Sequence, residues 1–184
     1  MGVEVVSDDL VRAAQDGDVA ALNTIYRALA PAVHGYLCSK GVDDAEAATS
    51  DVFLGLFAQL GRVRGGATGL RKLTFSIAHA RMVDEYRTRQ RRPTTLRWTP
   101  EDDDRREPSA EQDAEVNEST RRVMRMLDRL PPDQREVLVL RILGDLTIDQ
   151  ISEIMGRSRG AVKQLQRRGM VTLRGIVEAR GVTL

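Results

Sequence analysis

Apolar residues recur every three or four positions along most of the chain, which is the period of an amphipathic α-helix rather than of a strand. Ser7 has the residue type of an N-terminal cap and precedes a first predicted helix. The following stretch, residues 18–41, has the same period through Leu22, Ile25, Tyr26, Leu29, Val33 and Leu37. Pro31 lies inside it and is expected to kink or divide the helix. Gly41 is predicted to end it.

The next two predicted helices are separated by a glycine-rich segment. Asp43 and Glu46 have capping-box spacing and precede an apolar stripe made of Val52, Phe53, Leu56, Phe57 and Leu60. The segment 61–69 lacks the ending of a phosphate-binding loop, so it is predicted to be a flexible loop. A second stripe then begins, with Leu70, Leu73, Ile77 and Ala80. Pro93 is expected to stop that helix.

Periodicity is lost between Pro93 and Val116, where the chain is acidic and has few large apolar residues. This composition is typical of a linker. About 24 extended residues would reach at most about 80 Å. The sequence therefore predicts an all-α fold of two small helical domains, residues 1–92 and 117–184, joined by a flexible linker over residues 93–116.

The second predicted domain ends in a helix-turn-helix pattern. After an apolar helix with Val123, Met126, Leu127 and Leu130, Asp133 and Glu136 again have capping-box spacing, and the helix that follows ends near Gly144. Thr147 and Gln150 form a further capping box. Gly156 can adopt the left-handed conformation that ends a helix, and Ser158 can cap the next one. Two short helices around such a turn are typical of DNA-binding domains.

The last predicted helix is apolar on one side and basic on the other. At 100° per residue its apolar side holds Val162, Leu165, Gly169, Leu173 and Ile176. The opposite side carries Lys163, Gln164 and Arg167, with Arg168 at its edge. Arg and Lys can bind guanine and Gln can bind adenine in a major groove, whereas Arg157 and Arg159, with Ser158 between them, suit phosphates.

The charged residues are unevenly distributed along the chain, and this distribution narrows the classes of function that the protein can have. The formal net charge is +1. Residues 61–97 nevertheless carry ten basic and two acidic side chains, and residues 157–184 carry seven basic and one acidic. Two basic blocks of this kind indicate two surfaces for a polyanion. The single cysteine, Cys38, cannot form an internal disulfide and is predicted to be a core residue. No signal peptide or long apolar span is evident, which favours a soluble cytoplasmic protein.

With both domains laid out, the chain resembles a bacterial RNA polymerase sigma factor of the extracytoplasmic-function (ECF) group. Residues 127–174 resemble the family's region four, which binds the upstream promoter element and the flap of the polymerase β subunit. Residues 44–60 resemble the part of region two that binds the β′ clamp helices. Residues 76–92 resemble the segment that recognises the downstream element as a single strand, and the turn at 61–69 corresponds to a loop that receives a flipped-out base.

The resemblance implies a set of site residues and partners. Core polymerase would be bound by Asp44, Glu46, Asp51, Phe53, Leu54 and Phe57. The downstream element would be bound by Arg62, Arg64, Arg71, Lys72, His79, Arg81, Arg87, Arg89, Arg91 and Arg92. The upstream element would be bound by Arg157, Ser158, Arg159, Lys163, Gln164, Arg167 and Arg168. It also implies an anti-sigma factor as a partner, and no cofactor, metal or small-molecule substrate. The chain departs from the family pattern at residues 47–50, at Leu73 and at Ala80.

The competing interpretation is a free-standing regulator that binds duplex DNA as a dimer, with the N-terminal helices used for dimerisation or ligand sensing. An enzyme is less favoured, because the two histidines, His34 and His79, lie in different predicted helices. No combination of Ser, His and Asp, no zinc spacing and no nucleotide motif supports catalysis.

Overall fold

The predicted all-α fold is confirmed. A computed structural model describes residues 6–91 and 122–178, and every regular element within these two ranges is helical. The first range contains α1 (Asp8–Gln15), α2 (Val19–Ser39), α3 (Ala45–Ala58), a 3-10 turn (Leu60–Arg62) and α4 (Gly66–Arg91). The second contains α5 (residues 122–127), α6 (Pro132–Ile142), α7 (Ile148–Met155) and α8 (Arg159–Glu178). The predicted linker, residues 93–116, lies outside both ranges. None of the described helices is both long and apolar enough to cross a membrane.

Local capping signals account for several helix boundaries in the first domain. The Ser7 hydroxyl accepts a hydrogen bond from the amide of Leu10 at 3.2 Å, as predicted. The cap of α3 is Asp44, whose carboxylate accepts from the Ala47 amide at 2.9 Å. The predicted box from Asp43 is therefore wrong by one residue. The prediction that Pro31 could divide its helix is also wrong, because α2 continues through it.

The glycine-rich segment 61–69 is mostly helical, which corrects the prediction of a flexible loop. Helix α4 already begins at Gly66. The Asp8 carboxylate accepts a hydrogen bond from the Ala67 amide at 2.8 Å and so caps α4 from a different helix. The Gln15 amide donates to the carbonyl oxygens of Leu60 and Val63 at 2.9 and 3.1 Å. The sequence pattern missed these contacts because their partners lie 45 to 59 residues apart.

The first domain packs α2, α3 and α4 around a shared core. Val52, Leu56 and Leu60 of the predicted α3 stripe are buried. On α4 the predicted stripe is only partly right, because Phe75 and Ala78 are fully buried whereas Ala80 is exposed. A helix covered on two sides buries residues that a single stripe does not identify. Cys38, predicted to lie in the core, is exposed.

The second domain packs α6 against α8, and α7 contacts both. The core includes Leu127 and Leu130 before α6, Ile151 in α7, and Val162 and Leu165 in α8. The capping box predicted for α6 is absent: Pro131 occupies the cap position and makes no side-chain cap. Glu136 is buried instead and contacts the first domain.

The two domains pack against each other through α2 and α4 on one side and α6 and α7 on the other. Five consecutive residues of α6, Glu136–Leu140, are buried. Consecutive residues point to all sides of a helix, so α6 must be covered on opposite faces. Helix α8 covers one face, and the first domain covers another.

Candidate nucleic-acid interface

The helix-turn-helix forms as the local sequence predicts. The Thr147 hydroxyl accepts from the Gln150 amide at 3.3 Å, and the Gln150 side chain accepts from the Thr147 amide at 2.8 Å. Gly156 ends α7 at φ 61°, a left-handed conformation that glycine adopts at little cost. The Ser158 hydroxyl then accepts from the Ala161 amide at 3.2 Å and caps α8. These capping and turn residues lie within 12 positions of one another, from Thr147 to Ser158, so the local sequence is sufficient to predict the motif.

Helix α8 presents a polar face to solvent. Its apolar side is fixed by the buried residues Val162, Leu165 and Gly169. The side chains predicted to bind base edges and adjoining phosphates are exposed: Lys163, Gln164, Arg167 and Arg168. They share one face of the helix, and their donor groups are of the kinds that bind guanine and adenine edges.

The arginines near the start of α8 form surface ion pairs. Arg157 donates to the Asp133 carboxylate at 2.8 Å, and Arg159 lies 2.6 Å from the Asp149 carboxylate. All four side chains are at least 43% exposed. Exposed pairs contribute only about 0.2–1 kcal/mol. Both guanidiniums can therefore exchange a carboxylate for a phosphate at low cost.

Part of the predicted downstream DNA surface faces the second domain. Arg71 lies 3.4 Å from the carboxylate of Asp145, in the connection between α6 and α7. Lys72 pairs with Glu153 of α7. His79 lies 3.5 Å from the carboxylate of Glu136. These three basic residues lie along one side of α4, so in this conformation that side contacts protein.

The remaining described residues of this set lie on exposed surface. Arg64 donates to carbonyl oxygens of its own turn, at Gly61 and Val63. Arg81 lies 3.4 Å from Asp51, and Arg87 lies 3.8 Å from Asp84. Arg62 is exposed at the end of the 3-10 turn. The side chains of Arg89 and Arg91, and all of Arg92, lie outside the described residues.

The residues predicted to bind polymerase, at the cap of α3 and along it, divide into exposed and buried members. Leu54 is 68% exposed, and Asp44, Glu46 and Asp51 are also on the surface. Phe57 is half-buried. Phe53 is only 2% exposed and packs edge-on against Tyr26 at 4.7 Å between ring centroids. The assignment of Phe53 to direct partner contact is therefore corrected: its ring supports the α3 face from inside the domain.

A largely buried polar cluster that the sequence pattern does not predict lies between the domains and is formed by Tyr36, Lys40, His79 and Glu136 (the Glu136 cluster). The Tyr36 hydroxyl donates to Glu136 Oε1 at 3.0 Å, and His79 Nδ1 lies 2.9 Å from the same hydroxyl. Because the tyrosine proton is used on the carboxylate, His79 Nδ1 must carry a hydrogen to donate to the phenol oxygen. Lys40 Nζ lies 2.5 Å from Glu136 Oε2.

The electrostatics of the cluster favour an ionised carboxylate. Burial by itself would raise the pKa of Glu136, but His79, whose Nδ1 lies 3.5 Å from the carboxylate, and the charge of Lys40 outweigh it and lower the pKa to about 2. Burial, together with the Glu136 charge, raises the pKa of Tyr36. The phenol therefore stays protonated and donates to the carboxylate.

Comparison with known proteins agrees with the sequence resemblance. The family model described as sigma-70, region 4, matches residues 120–173, which include the helix-turn-helix. The ECF RNA polymerase sigma factor RpoE of Cereibacter sphaeroides is 29% identical over 90% of this chain and 91% of its own length. The ECF RNA polymerase sigma factor BldN of Streptomyces coelicolor is 27% identical over 90% of this chain, which spans 63% of BldN.

A solved structure has the same fold. CnrH, determined in complex with the cytosolic domain of CnrY, is 21% identical and has a TM-score of 0.57. The match covers 95% of this chain and 99% of CnrH. A likeness over nearly the full length includes both helical domains as well as the helix-turn-helix. Over most of its length the chain is similar to ECF RNA polymerase sigma factors, and its second domain matches the sigma-70 region 4 model.

Proposed function

We propose that this chain is an alternative sigma factor that binds core RNA polymerase and directs it to promoters. The observation that carries the proposal is the helix-turn-helix, in which capped α7 and left-handed Gly156 position α8 with Lys163, Gln164 and Arg167 exposed. This face would bind base edges of the upstream element, and Arg157 and Arg159 would bind the adjoining phosphates. The chain itself would contribute recognition, while polymerisation belongs to the polymerase.

The first domain would supply the second promoter contact and bind the polymerase. Exposed Leu54 with Asp51 and Glu46 gives α3 an apolar centre with acidic neighbours, which suits a basic helical partner such as the β′ clamp helices. The β flap would bind the second domain. The basic side chains of residues 62–92 would hold the backbone of an opened strand.

An anti-sigma factor is a further proposed partner. The similar protein CnrH was solved bound to the cytosolic domain of CnrY. In this chain the exposed α3 face and the α8 face lie on separate domains, so one polypeptide that covers both would block polymerase and promoter together.

The proposal is tested by mixing the purified chain with core RNA polymerase and following co-elution on a sizing column. The complex is then assayed for promoter opening. We expect co-elution and opening, with neither component sufficient alone. A matched variant with Leu54→Asp should elute separately because it places a charge at the apolar centre of the α3 face, whereas Val19→Asp, at an equally exposed valine on α2, should not.

The competing function gives a different result. A free-standing regulator would bind duplex DNA tightly as a dimer in the absence of polymerase and would not co-elute with the core enzyme. That outcome would reject the proposal and reassign residues 44–92 to dimerisation or ligand sensing.

A further inference from the structure

We propose that the chain is autoinhibited by its own second domain, which closes over α4 and is held there by the Glu136 cluster. This inference rests on the proposed function, because α4 carries side chains assigned to the promoter. It adds a closed state of the free chain that must open before α4 can bind DNA.

The first observation is the face of α4 that is covered. Thr68, Arg71, Phe75 and His79 follow one another at helical spacing and therefore share one side of the helix. The Thr68 carbonyl accepts from the Gln150 side chain at 3.2 Å, and Arg71 pairs with Asp145. These contacts lie beside Gln150, which is buried although it is polar. The same side that would bind DNA is thus occupied by α6, α7 and their connection.

The second observation is a close apolar contact at the centre of this face. Phe75 is fully buried, and a Cβ placed on Gly144 would lie 3.0 Å from the Phe75 ring. A side chain at this position would force the ring to shift, so glycine suits the close approach of the α6–α7 connection. The Tyr36 and Phe75 rings also meet edge-on at 5.9 Å between centroids, which joins the aromatic contact to the Glu136 cluster.

The third observation is the origin of the partners of Glu136. Its carboxylate belongs to α6 of the second domain, whereas Tyr36 and Lys40 belong to α2 and its end, and His79 belongs to α4. Arg135 adds a contact of 3.4 Å to the carbonyl of Ser39 at the end of α2. The carboxylate is buried only while the domains are together, so it acts on the closed state alone.

The balance of forces allows the closed state to open. A buried ion pair gains attraction but loses hydration, so its net stabilisation is small. When the domains separate, Glu136 and Lys40 regain water. The rim pairs of Arg71 and Lys72 have acidic partners that are more than 60% exposed, so they add little. Domains of one chain are expected to move relative to one another unless their interface is large and hydrophobic.

The test is interdomain energy transfer in the full chain. Donor and acceptor dyes are attached at Asn23→Cys and Gly175→Cys, both exposed, in a Cys38→Ser background. Glu136→Gln and Lys40→Gln remove the same charge pair from opposite domains. We expect each to lower energy transfer, with an open-to-closed ratio raised about tenfold or more, because removing one partner leaves a buried charge unpaired.

Controls keep the result interpretable. Glu178→Gln removes an exposed charge from α8 and should leave energy transfer unchanged. Circular dichroism checks folding, and if Glu136→Gln does not fold, Lys40→Gln decides the question from the first domain. Unchanged transfer in folded Glu136→Gln and Lys40→Gln chains would overturn the proposal, as would low transfer in the parent chain.

A second arm separates this inference from the proposed function. Adding core RNA polymerase to the labelled parent chain should lower energy transfer as the domains separate. Binding of polymerase with unchanged transfer would reject autoinhibition while leaving the sigma function intact. Failure to bind polymerase, with transfer still sensitive to Glu136→Gln, would reject the sigma function while leaving the closed state intact.

Discussion

At the scale of single residues, Glu136 owes its environment to side chains far away in the sequence. Tyr36 precedes it by 100 residues and Lys40 by 96. In the sequence it occupies the fourth position of a capping pattern, where it would have been exposed at a helix start. Burial between two domains gives it three partners instead. A buried carboxylate with a lowered pKa favours whichever conformation keeps those partners in place.

The lowered pKa of Glu136 predicts an acid-sensitive closed state. The carboxyl has an ordinary pKa of 4.5 when solvated and about 2 in the closed state. Because the pKa is depressed, the stabilisation that Glu136 gives to the closed state is fully present above about pH 4.5 and is lost as the pH falls towards 2. The titratable groups that face it are Tyr36 and Lys40 from α2 and its end, and His79 from α4. Interdomain energy transfer should therefore contain a step below pH 4.5 that Glu136→Gln lacks.

Circular dichroism recorded on the same samples distinguishes domain opening from unfolding. An acid step of equal size in the Glu136→Gln chain would assign the transition to other carboxyl groups and would contradict the role given to Glu136.

At the scale of the element, the helix-turn-helix shows what a sequence can specify. Its caps, its left-handed glycine and its apolar side depend on residues close together in the chain, so the pattern predicts them correctly. Asp43 and Asp133 begin equally good capping patterns, yet Asp44 and Pro131 occupy those cap positions. A capping pattern therefore indicates a helix start, whereas the packing around it decides which side chain is used.

Loss of the Thr147 cap should destabilise the second domain. Thr147→Ala leaves the amide of Gln150 without its hydroxyl acceptor and should lower the free energy of unfolding by about 1 kcal/mol. Urea denaturation of the full chain, followed by circular dichroism, measures the change. Thr88→Ala is the matched control, because the Thr88 hydroxyl bonds a carbonyl within α4 and caps nothing. We expect the control to stay within about 0.5 kcal/mol of the parent.

The exposed face of α8 should determine preference in the upstream element. Gln164→Ala or Arg167→Ala should each cost about 1–3 kcal/mol in binding and relax preference at one base position. Selection of bound sequences from a promoter library with a randomised upstream element, carried out with the polymerase complex, measures both effects. Glu178→Gln, at the far end of α8, is the control. Retained preference in both alanine variants would show that α8 does not read bases through these side chains.

At the scale of the whole molecule, the division into two helical domains was predictable, whereas their contact was not. Apolar periodicity and an acidic stretch of low hydrophobicity suffice to separate the domains. The predicted linker of about 24 residues would permit many arrangements. The residues that meet across the interface, such as Arg71, Lys72 and Gln150, are ordinary surface types when each is considered alone. Only the three-dimensional arrangement shows that the proposed DNA-binding side of α4 has a protein partner.

The rim of the interface should therefore tune how readily the free chain binds single-stranded DNA. Asp145→Asn with Glu153→Gln removes the acidic partners of Arg71 and Lys72 without touching the Glu136 cluster. Asp145 has a φ of 50°, a conformation that asparagine also adopts readily. Exposed pairs contribute little each, so binding of a mixed-sequence single-stranded oligonucleotide, followed by fluorescence anisotropy, should tighten about two- to tenfold.

Tighter DNA binding by the chain with Asp145→Asn and Glu153→Gln has two possible causes. One is release of the α4 face, and the other is the rise in net charge by two. Asp16→Asn with Glu178→Gln makes the same change in net charge at exposed positions away from the interface. The general attraction of DNA for a more positive chain should be similar for both pairs, whereas release of the α4 face is specific to the rim pair. An excess tightening that accompanies lower interdomain energy transfer would link opening to DNA binding. Equal tightening in the two double variants would assign the effect to charge alone and would show that Arg71 and Lys72 are not held back by the second domain.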